Sequence, residues 1–581
     1  MRRDERGSAL VMVLFLILIL TILGMAVLGA AIGGAQRTET RESDVQSLHL
    51  AEKSLEGAIA SITAQLSGKV DNNQKGLDAA IQSYLDGIRP EDFVTGTALE
   101  AANGKITDIS YAREGGVNDF VQYILTIKAE AEVNGVVRRL QQQVIIDTYP
   151  DFLKYALGTE GDLEMNGSPL IEGNLYAGNK LWVSDTAQYN YNGPSSTKSQ
   201  FPKLKGEAHI QSLSDWLYSR NDSIYQRVDE SGDSAQISNL VQDIMGISMD
   251  KVKIKSQREF VEVNVRESFV DKVAEAVGDS LDRATIASKL NSGELGKHLG
   301  DRYPSTFVFL EADQFIKPDK PAEPMDDSPE ELERYEQEMA EYDFKMEEYR
   351  RHVKELTLPL KSTVYNGDLT LDGIEFTGVE YSEGVKNSKD PSHWFIVDGD
   401  LTIDNLGGVP ISIRANMLVT GHVLIRGDAN FDATIFSLGT KGAEPEPGYS
   451  TVLQDASVGG LGGKELVMIS AGAILINRVD AFQLTPKVLK AFFYTDEDAE
   501  LYGVGSAFSL YGGFFAKKTL TINAVVGEVA GSTGGLSFNP SGNNSKPRFQ
   551  VEYNPAVFDN QKIGLPRVNQ INVRVGKLSI E

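Results

Sequence analysis

Between Arg6 and Arg37 the chain carries no charged side chain. Residues 7–36 read GSALVMVLFLILILTILGMAVLGAAIGGAQ, and the centre of that stretch, 10–23, is almost wholly aliphatic. A helix rises about 1.5 Å per residue, so a segment of this length crosses a hydrocarbon core of roughly 30 Å. A short leader, residues 1–7, precedes it with Arg2, Arg3 and Arg6, and everything that follows is polar and acidic. The remainder must therefore fold as a large water-compatible body on one membrane-inserting helix. Three arginines in the leader against Arg37 and Arg41 beyond the span give a thin bias for leader inside, body outside.

The helical pattern does not stop at the membrane boundary. Apolar side chains recur at Val45, Leu48, Ala51, Leu55, Ala58, Ile62 and Leu66, the three-and-four spacing of an amphipathic stripe. No proline interrupts it, and Gly68 stands where a helix C-terminus wants glycine. Residues 8–67 thus read as one helix of about 90 Å, with a membrane span over 8–36. Two other readings of the apolar stretch are a plain anchor and a signal peptide with its small-residue site at Gly33, Gly34 and Ala35.

A basic leader, a glycine before the apolar run and a helix continuing into a solvated half resemble the type IV pilin superfamily. The run RGSALVMVLFLILILTILGMAVLGAA, followed by LAEKSLE at 50–56, looks like the N-terminal domain of PilX-type pilus assembly proteins. The resemblance covers the first 65 residues or so. It implies processing by prepilin peptidase after Gly7, leaving Ser8 as the new N-terminus. It also implies a departure: major pilins carry Glu at the fifth mature position, and this chain carries Met12. An intramembrane carboxylate is costly without a partner, and in the family its partner is the amine of a neighbouring subunit. Without it, the resemblance implies a minor or tip-like subunit.

Beyond the helix, residues 68–150 read as a pilin-like head. Residues 71–76 loosely resemble a calcium loop, but Lys75 and Gln82 stand where carboxylates are needed, so a turn is expected. A helix is expected over 77–85. The period then changes to two, giving strands over 106–111, 121–133 and 136–146. Asn134-Gly135 between the last two is the signature of a type I′ hairpin.

After Tyr149-Pro150 the texture changes to short β-rich runs punctuated by turn glycines, as in Gly161-Asp162-Leu163, Gly173-Asn174-Leu175, Gly367-Asp368-Leu369 and Gly399-Asp400-Leu401. Stacked corners favour a β-solenoid, with a β-sandwich as the alternative, although no clean repeat period emerges. The expected architecture is α+β and multidomain. The body runs over 151–211, is interrupted by a helical insertion (212–316) and a proline-rich hinge with a heptad helix (317–359), and resumes over 360–546. Residues 547–581 are expected to cap the β body.

Within 317–359, Pro318, Pro321 and Pro324 precede a capping box at Ser328-Pro329-Glu330-Glu331. The helix it launches carries a seam of Leu332, Tyr335, Met339, Tyr342, Met346, Tyr349, Val353 and Leu356. A seam of this kind wants a helical partner, either the protein's own helical insertion or another subunit.

The formal charge of −26 speaks against a nucleic-acid partner. The absence of cysteine excludes disulfides, zinc thiolates and thiol catalysis. The six histidines show no metal-ligand spacing. Gly459–Lys464, GGLGGK, lacks the first glycine and the hydroxyl of a phosphate loop. No cofactor is expected, with calcium at Asp496, Asp498 and Glu500 as a candidate against a solvated acidic turn. Arg414 and Arg426, with Asp400 and Asp428 nearby, are compatible with a polysaccharide groove and equally with surface pairs.

The expectation is a non-enzymatic minor or tip subunit of a type IV pilus-like filament. It would be anchored in the bacterial cytoplasmic membrane, with its bulk extracytoplasmic and the pilus tip or cell surface as its destination. Its partners would be other pilin subunits, prepilin peptidase and an unidentified surface ligand. The alternatives are an unprocessed membrane-anchored adhesion or scaffold protein and a polysaccharide-active solenoid.

Overall fold

The computed structural model describes residues 6–66, 74–96, 102–114, 122–147, 150–229, 231–254, 263–278, 282–324, 328–386, 393–477, 482–483, 486–532, 535–540, 546–561, 563–566 and 571–580. Leader residues 1–5, Gly68 and positions 71–73 of the expected turn lie outside them. The chain divides into two compact units.

The first unit holds helix α1 (Arg6–Leu66), helix α2 (Gln74–Gly87) and a five-stranded antiparallel sheet. In sheet order its strands are β1 (Val94–Gly96), β2 (Ala102–Glu114), β3 (Gln122–Val133), β4 (Val136–Asp147) and the C-terminal strand Asn572–Ile580. Asn134 and Gly135 adopt φ of 50° and 81° between the paired residues Val133 and Val136, as the sequence expects of a type I′ turn. The C-terminal strand is a correction. It pairs with β4, with Asn572 opposite Asp147 and Ile580 opposite Leu140, instead of closing the β body. Alternation marks a half-buried strand but does not name its neighbour.

Only the rear half of α1 is packed. Ala51, Leu55, Ala58, Ile62 and Leu66 are buried against Leu125, Ile127, Val144 and Ile146 of the sheet. Val45, expected in the stripe, is exposed; the buried face is instead extended by Ser43, Ser47 and Ser54. The hydroxyls of Ser47 and Ser54 donate to the carbonyls of Asp44 and Leu50, so burial leaves them satisfied. Small residues here let the helix approach β2 closely. A Cβ added at Gly104 would lie 2.5 Å from Ser54 Oγ.

The second unit is a parallel β-solenoid, the preferred of the two sequence readings. Each coil contributes one strand to each of two large sheets, and every pairing along the two main stacks is parallel apart from an antiparallel strand at one edge. Inward residues stack coil upon coil. In the first sheet Phe395, Met417, Ile435, Met468, Phe493 and Phe514 are successive register partners; in the second, Leu401, Val423, Thr451, Ile474, Ala499 and Leu520 are. The unequal chain lengths between these partners explain why no repeat period is visible in the sequence.

The coils are not stacked in chain order. The chain enters at Leu157–Thr159 and Leu163–Gly167 and adds two coils in one direction, ending at Val252–Ile254. It then restarts at the far end of the sheet with Val308–Glu311 and winds back. The last coil, Phe508–Ala516 with Leu520–Ala524, pairs with the first: Phe514 meets Leu157 and Leu520 meets Leu163. Twelve strands at about 4.8 Å spacing put roughly 50 Å between the two ends.

That topology corrects the expected helical insertion at 212–316. After α3 (Ser234–Met245), helices α4 (Val265–Val277), α5 (Arg283–Ser292) and α6 (Leu295–Arg302) form the return link between the solenoid's ends. They cover the outer face of the first sheet, burying Val364, Ile396, Leu418, Phe436, Ile469 and Tyr494 under Val265, Phe269, Val273, Leu295 and Leu299. Short strands at both ends of 212–316 also belong to the sheets. Among the described residues the second sheet's outer face has no comparable helical cover.

Candidate functional site

Two surfaces are candidates: the front half of α1 and the open outer face of the second sheet. From Leu10 to Ile32 every large apolar side chain of α1 is exposed, from 51% at Ile32 to 74% at Met12. No other helix among the described residues is long and apolar enough to cross a membrane. Thr21, the one hydroxyl in the centre, donates to the Ile17 carbonyl at 2.7 Å, so no side-chain polar group there needs water. Gly7 and Ser8 begin this helix, and Met12 lies one turn on. An apolar surface this long, with no packing partner among the described residues, suits a lipid bilayer or a bundle of like helices.

On the second sheet's outer face, one row of register partners runs Leu475, Glu500, Thr521, Glu164, Trp182, Leu217. Glu500 accepts hydrogen bonds from Tyr449 and Tyr502, both at 2.6 Å. Glu164 accepts from Thr521 at 3.1 Å. Burial raises the Glu164 carboxyl above its ordinary range, and the charges of Asp162, Glu500 and Asp498 push it the same way. Trp182 donates its indole N–H to Asp162 at 3.0 Å and meets Tyr225 edge-on at 5.0 Å between ring centroids. This strip of aromatics and carboxylates was not expected from sequence. Glu164 belongs to the first coil and Glu500 to one of the last, and only the meeting of those coils joins them.

The calcium candidates do not converge. Asp496 accepts from the backbone N–H of Val265, at the first turn of α4, and from Tyr494. Asp498 accepts from the backbone of Thr519, while Glu500 lies in the tyrosine contacts above. Asp496 and Asp498 lie in the turn between the strands Lys487–Thr495 and Ala499–Gly503, and Glu500 lies in the second strand, so the bend parts residues that sit together in sequence. Among the described residues no group of three or more His, Asp or Glu could hold a metal ion. An open pocket of about 530 Å³ beside Asp496 and Glu497 also contains Lys517 and Lys518, whose charges oppose a cation.

The heptad seam divides. In α7 (Pro329–Thr357) Met346, Tyr349 and Leu356 are buried and Val353 is half-buried, with Leu356 reaching the solenoid core. Tyr349 donates to Glu375 at 3.0 Å. Tyr335, Met339 and Tyr342 are half-buried and Leu332 is exposed. Of the expected partner, the segment 212–316, the end takes part: the buried half of the seam packs beside Phe315 of the turn Ala312–Phe315 and beside Phe376 of the β body. Pro318, Pro321 and Pro324 are half-buried at a spacing of three, the period of one edge of a polyproline II helix. Ser328 caps the helix through the Glu331 N–H, as expected.

Arg414 and Arg426 take different places in the ladders: Arg414 pairs in register with Glu380 and Arg426 with Asp404. Arg426 reaches Asp404 at 3.8 Å on the open sheet, Asp428 pairs with Lys487, and Asp400 accepts from the backbone of His422 and Ala443. Lys464 of the GGLGGK turn points to Asp432, at 3.6 Å.

No model of a known protein family matches the chain, and no curated protein matches it. Among solved structures, the competence-associated pilin ComZ from Thermus thermophilus aligns with 93% of this chain and 97% of its own length, at 13% identity and a TM-score of 0.25. So low a score means that the two chains do not superpose as wholes. The functional reading below rests on this chain's own geometry.

Proposed function

We propose that this protein is a non-enzymatic, minor or tip-located subunit of a type IV pilus-like filament, anchored by α1 in the membrane before assembly. The observation that carries the reading is the division of one unbroken helix. Its front half is apolar on every side and uncovered, and its rear half is clamped on an antiparallel sheet. Such a helix transfers between a bilayer and a bundle of equivalent helices without exposing new polar groups, since both environments are apolar. Met12 supports a minor role, because a subunit without a carboxylate there cannot neutralise a neighbour's terminal amine. A solenoid of this size on each subunit would crowd a filament at every repeat, which favours the tip.

Labelling the solenoid with gold on sheared filaments tests this. Label at filament ends, at far below one copy per subunit, is the expected result. Label along the whole shaft removes the tip assignment, and no label on any filament removes the filament assignment. The second reading, an unprocessed anchor for a surface adhesin, draws on the acid–aromatic strip of Trp182, Tyr225, Glu164 and Glu500, whose rings and carboxylates suit a polar surface ligand.

A further inference from the structure

Three buried ionisable side chains lie close together at one edge of the solenoid, where Lys464 also reaches Asp432. Lys386, Asp432 and Glu465 are 4%, 3% and 2% exposed. Lys386 closes a short helical turn, and its Nζ donates to both the carboxylate and the backbone carbonyl of Asp432. Parallel pairing of Ala433 with Leu466 sets the preceding residues, Asp432 and Glu465, side by side on neighbouring strands. Gln561 ties them together, donating to Asp432 Oδ1 at 3.2 Å and to the Glu465 carbonyl at 2.7 Å.

An ordinary buried ion pair needs two charged groups, and this setting disfavours charge on two of the three. Burial draws the Lys386 amine down to about 8, with Asp432 opposing the fall and Lys464 and Arg414 adding to it. Burial likewise raises the Glu465 carboxyl, and the neighbouring Asp432 charge raises it further. One Glu465 oxygen accepts from Asn560 at 2.8 Å, while the other, Oε1, is buried without a hydrogen-bond partner. An ionised carboxylate would leave that oxygen desolvated and unpaired; a protonated one carries a hydrogen there that it can donate.

We propose that Lys386 and Asp432 are joined by an intramolecular amide bond, with Glu465 as the proton carrier for its formation. The Lys386 ammonium first passes one proton to the Asp432 carboxylate it touches, leaving a neutral amine beside a carboxylic acid; the amine then attacks Asp432 Cγ, and the N–C bond forms. Glu465 gives its proton to the departing hydroxyl and regains one from the amine nitrogen. The Cγ–OH bond breaks and one water leaves. An ammonium and a carboxylate have become an amide and water, with no oxidant or reductant required. The chain has no cysteine, so this would be a covalent staple that does not depend on redox conditions. It would close a loop between positions 46 apart and constrain the unfolded chain as a disulfide would.

Peptide mass mapping of the detergent-extracted full chain tests the bond directly on the native sequence. The expected result is one branched peptide containing Lys386 and Asp432, lighter by one water than the sum of its parts. Recovery of the two peptides separately, at unmodified mass, overturns the proposal. Glu465→Gln keeps the shape of the side chain but removes the proton carrier, and is expected to yield separate peptides from a chain that still melts cooperatively. A branched peptide formed in full by Glu465→Gln would contradict the role given to Glu465.

Discussion

The front and rear halves of α1 belong to one helix and obey different solvents. In the rear half, Leu55 and Ile62 are buried and Glu52 and Glu56 face outward, so one face alone is apolar. In the front half no polar face exists, and Leu18 is 51% exposed, uncovered by any described residue. Periodicity in the rear half says where the protein core lies. Its absence in the front half says that the surroundings are apolar in every direction. The same contrast recurs between the solenoid's two outer faces: one is aromatic and aliphatic under helices, the other carries a polar and aromatic row.

Breaking each half separately sharpens the comparison. Leu55→Asp puts an unpaired charge into the core of the first unit and is expected to cost about 4 kcal/mol or more. Limited proteolysis would show that unit digested while the solenoid survives; an intact first unit would mean that the rear half is not clamped. Leu18→Arg should act on the other side of the divide. A charge at the centre of a span costs about 3 kcal/mol, so the expected outcome is loss of the membrane fraction with the protease-resistant units unchanged. Unfolding of the first unit by Leu18→Arg would erase the distinction between the halves.

A smaller effect probes how closely the rear half sits on its sheet. Gly104→Ala places a methyl against Ser54 Oγ and is expected to cost about 1–3 kcal/mol. Ser54→Ala in the same chain should recover part of it in a thermal melt. Full cost in both chains would locate the strain elsewhere.

The smallest effect concerns the open face. Glu164 has a raised folded-state pKa, so its charged form is penalised in the native state. The penalty is absent below the unfolded pKa, near 4.3, and complete above the folded one, so stability falls as pH rises through that window. Glu164→Gln should therefore raise the melting temperature at pH 7 and leave it unchanged near pH 3. An equal gain at both pH values would mean that packing, not charge, is responsible.

Local features of this fold were legible in the sequence because their causes are local. The period of α1, the Asn134-Gly135 turn and the Ser328 cap each depend on residues within a few positions. What could not be read is set by pairings between distant segments. Nothing in residues 572–580 specifies β4 over a solenoid edge, and nothing near Leu157 announces Phe514 as its neighbour. The Glu164–Glu500 strip and the Lys386, Asp432 and Glu465 group share that origin, since parallel register between coils brings them together. The calcium candidates show the complementary case: Asp496, Asp498 and Glu500 are close in sequence, and the chain's path turns them toward different partners.

The most direct test of the account is the N-terminal residue of the membrane-extracted protein, produced with and without prepilin peptidase. The account predicts a chain that begins at Ser8 only when the peptidase is present. A chain that begins at Met1 in both cases, or near Gln36, would contradict it.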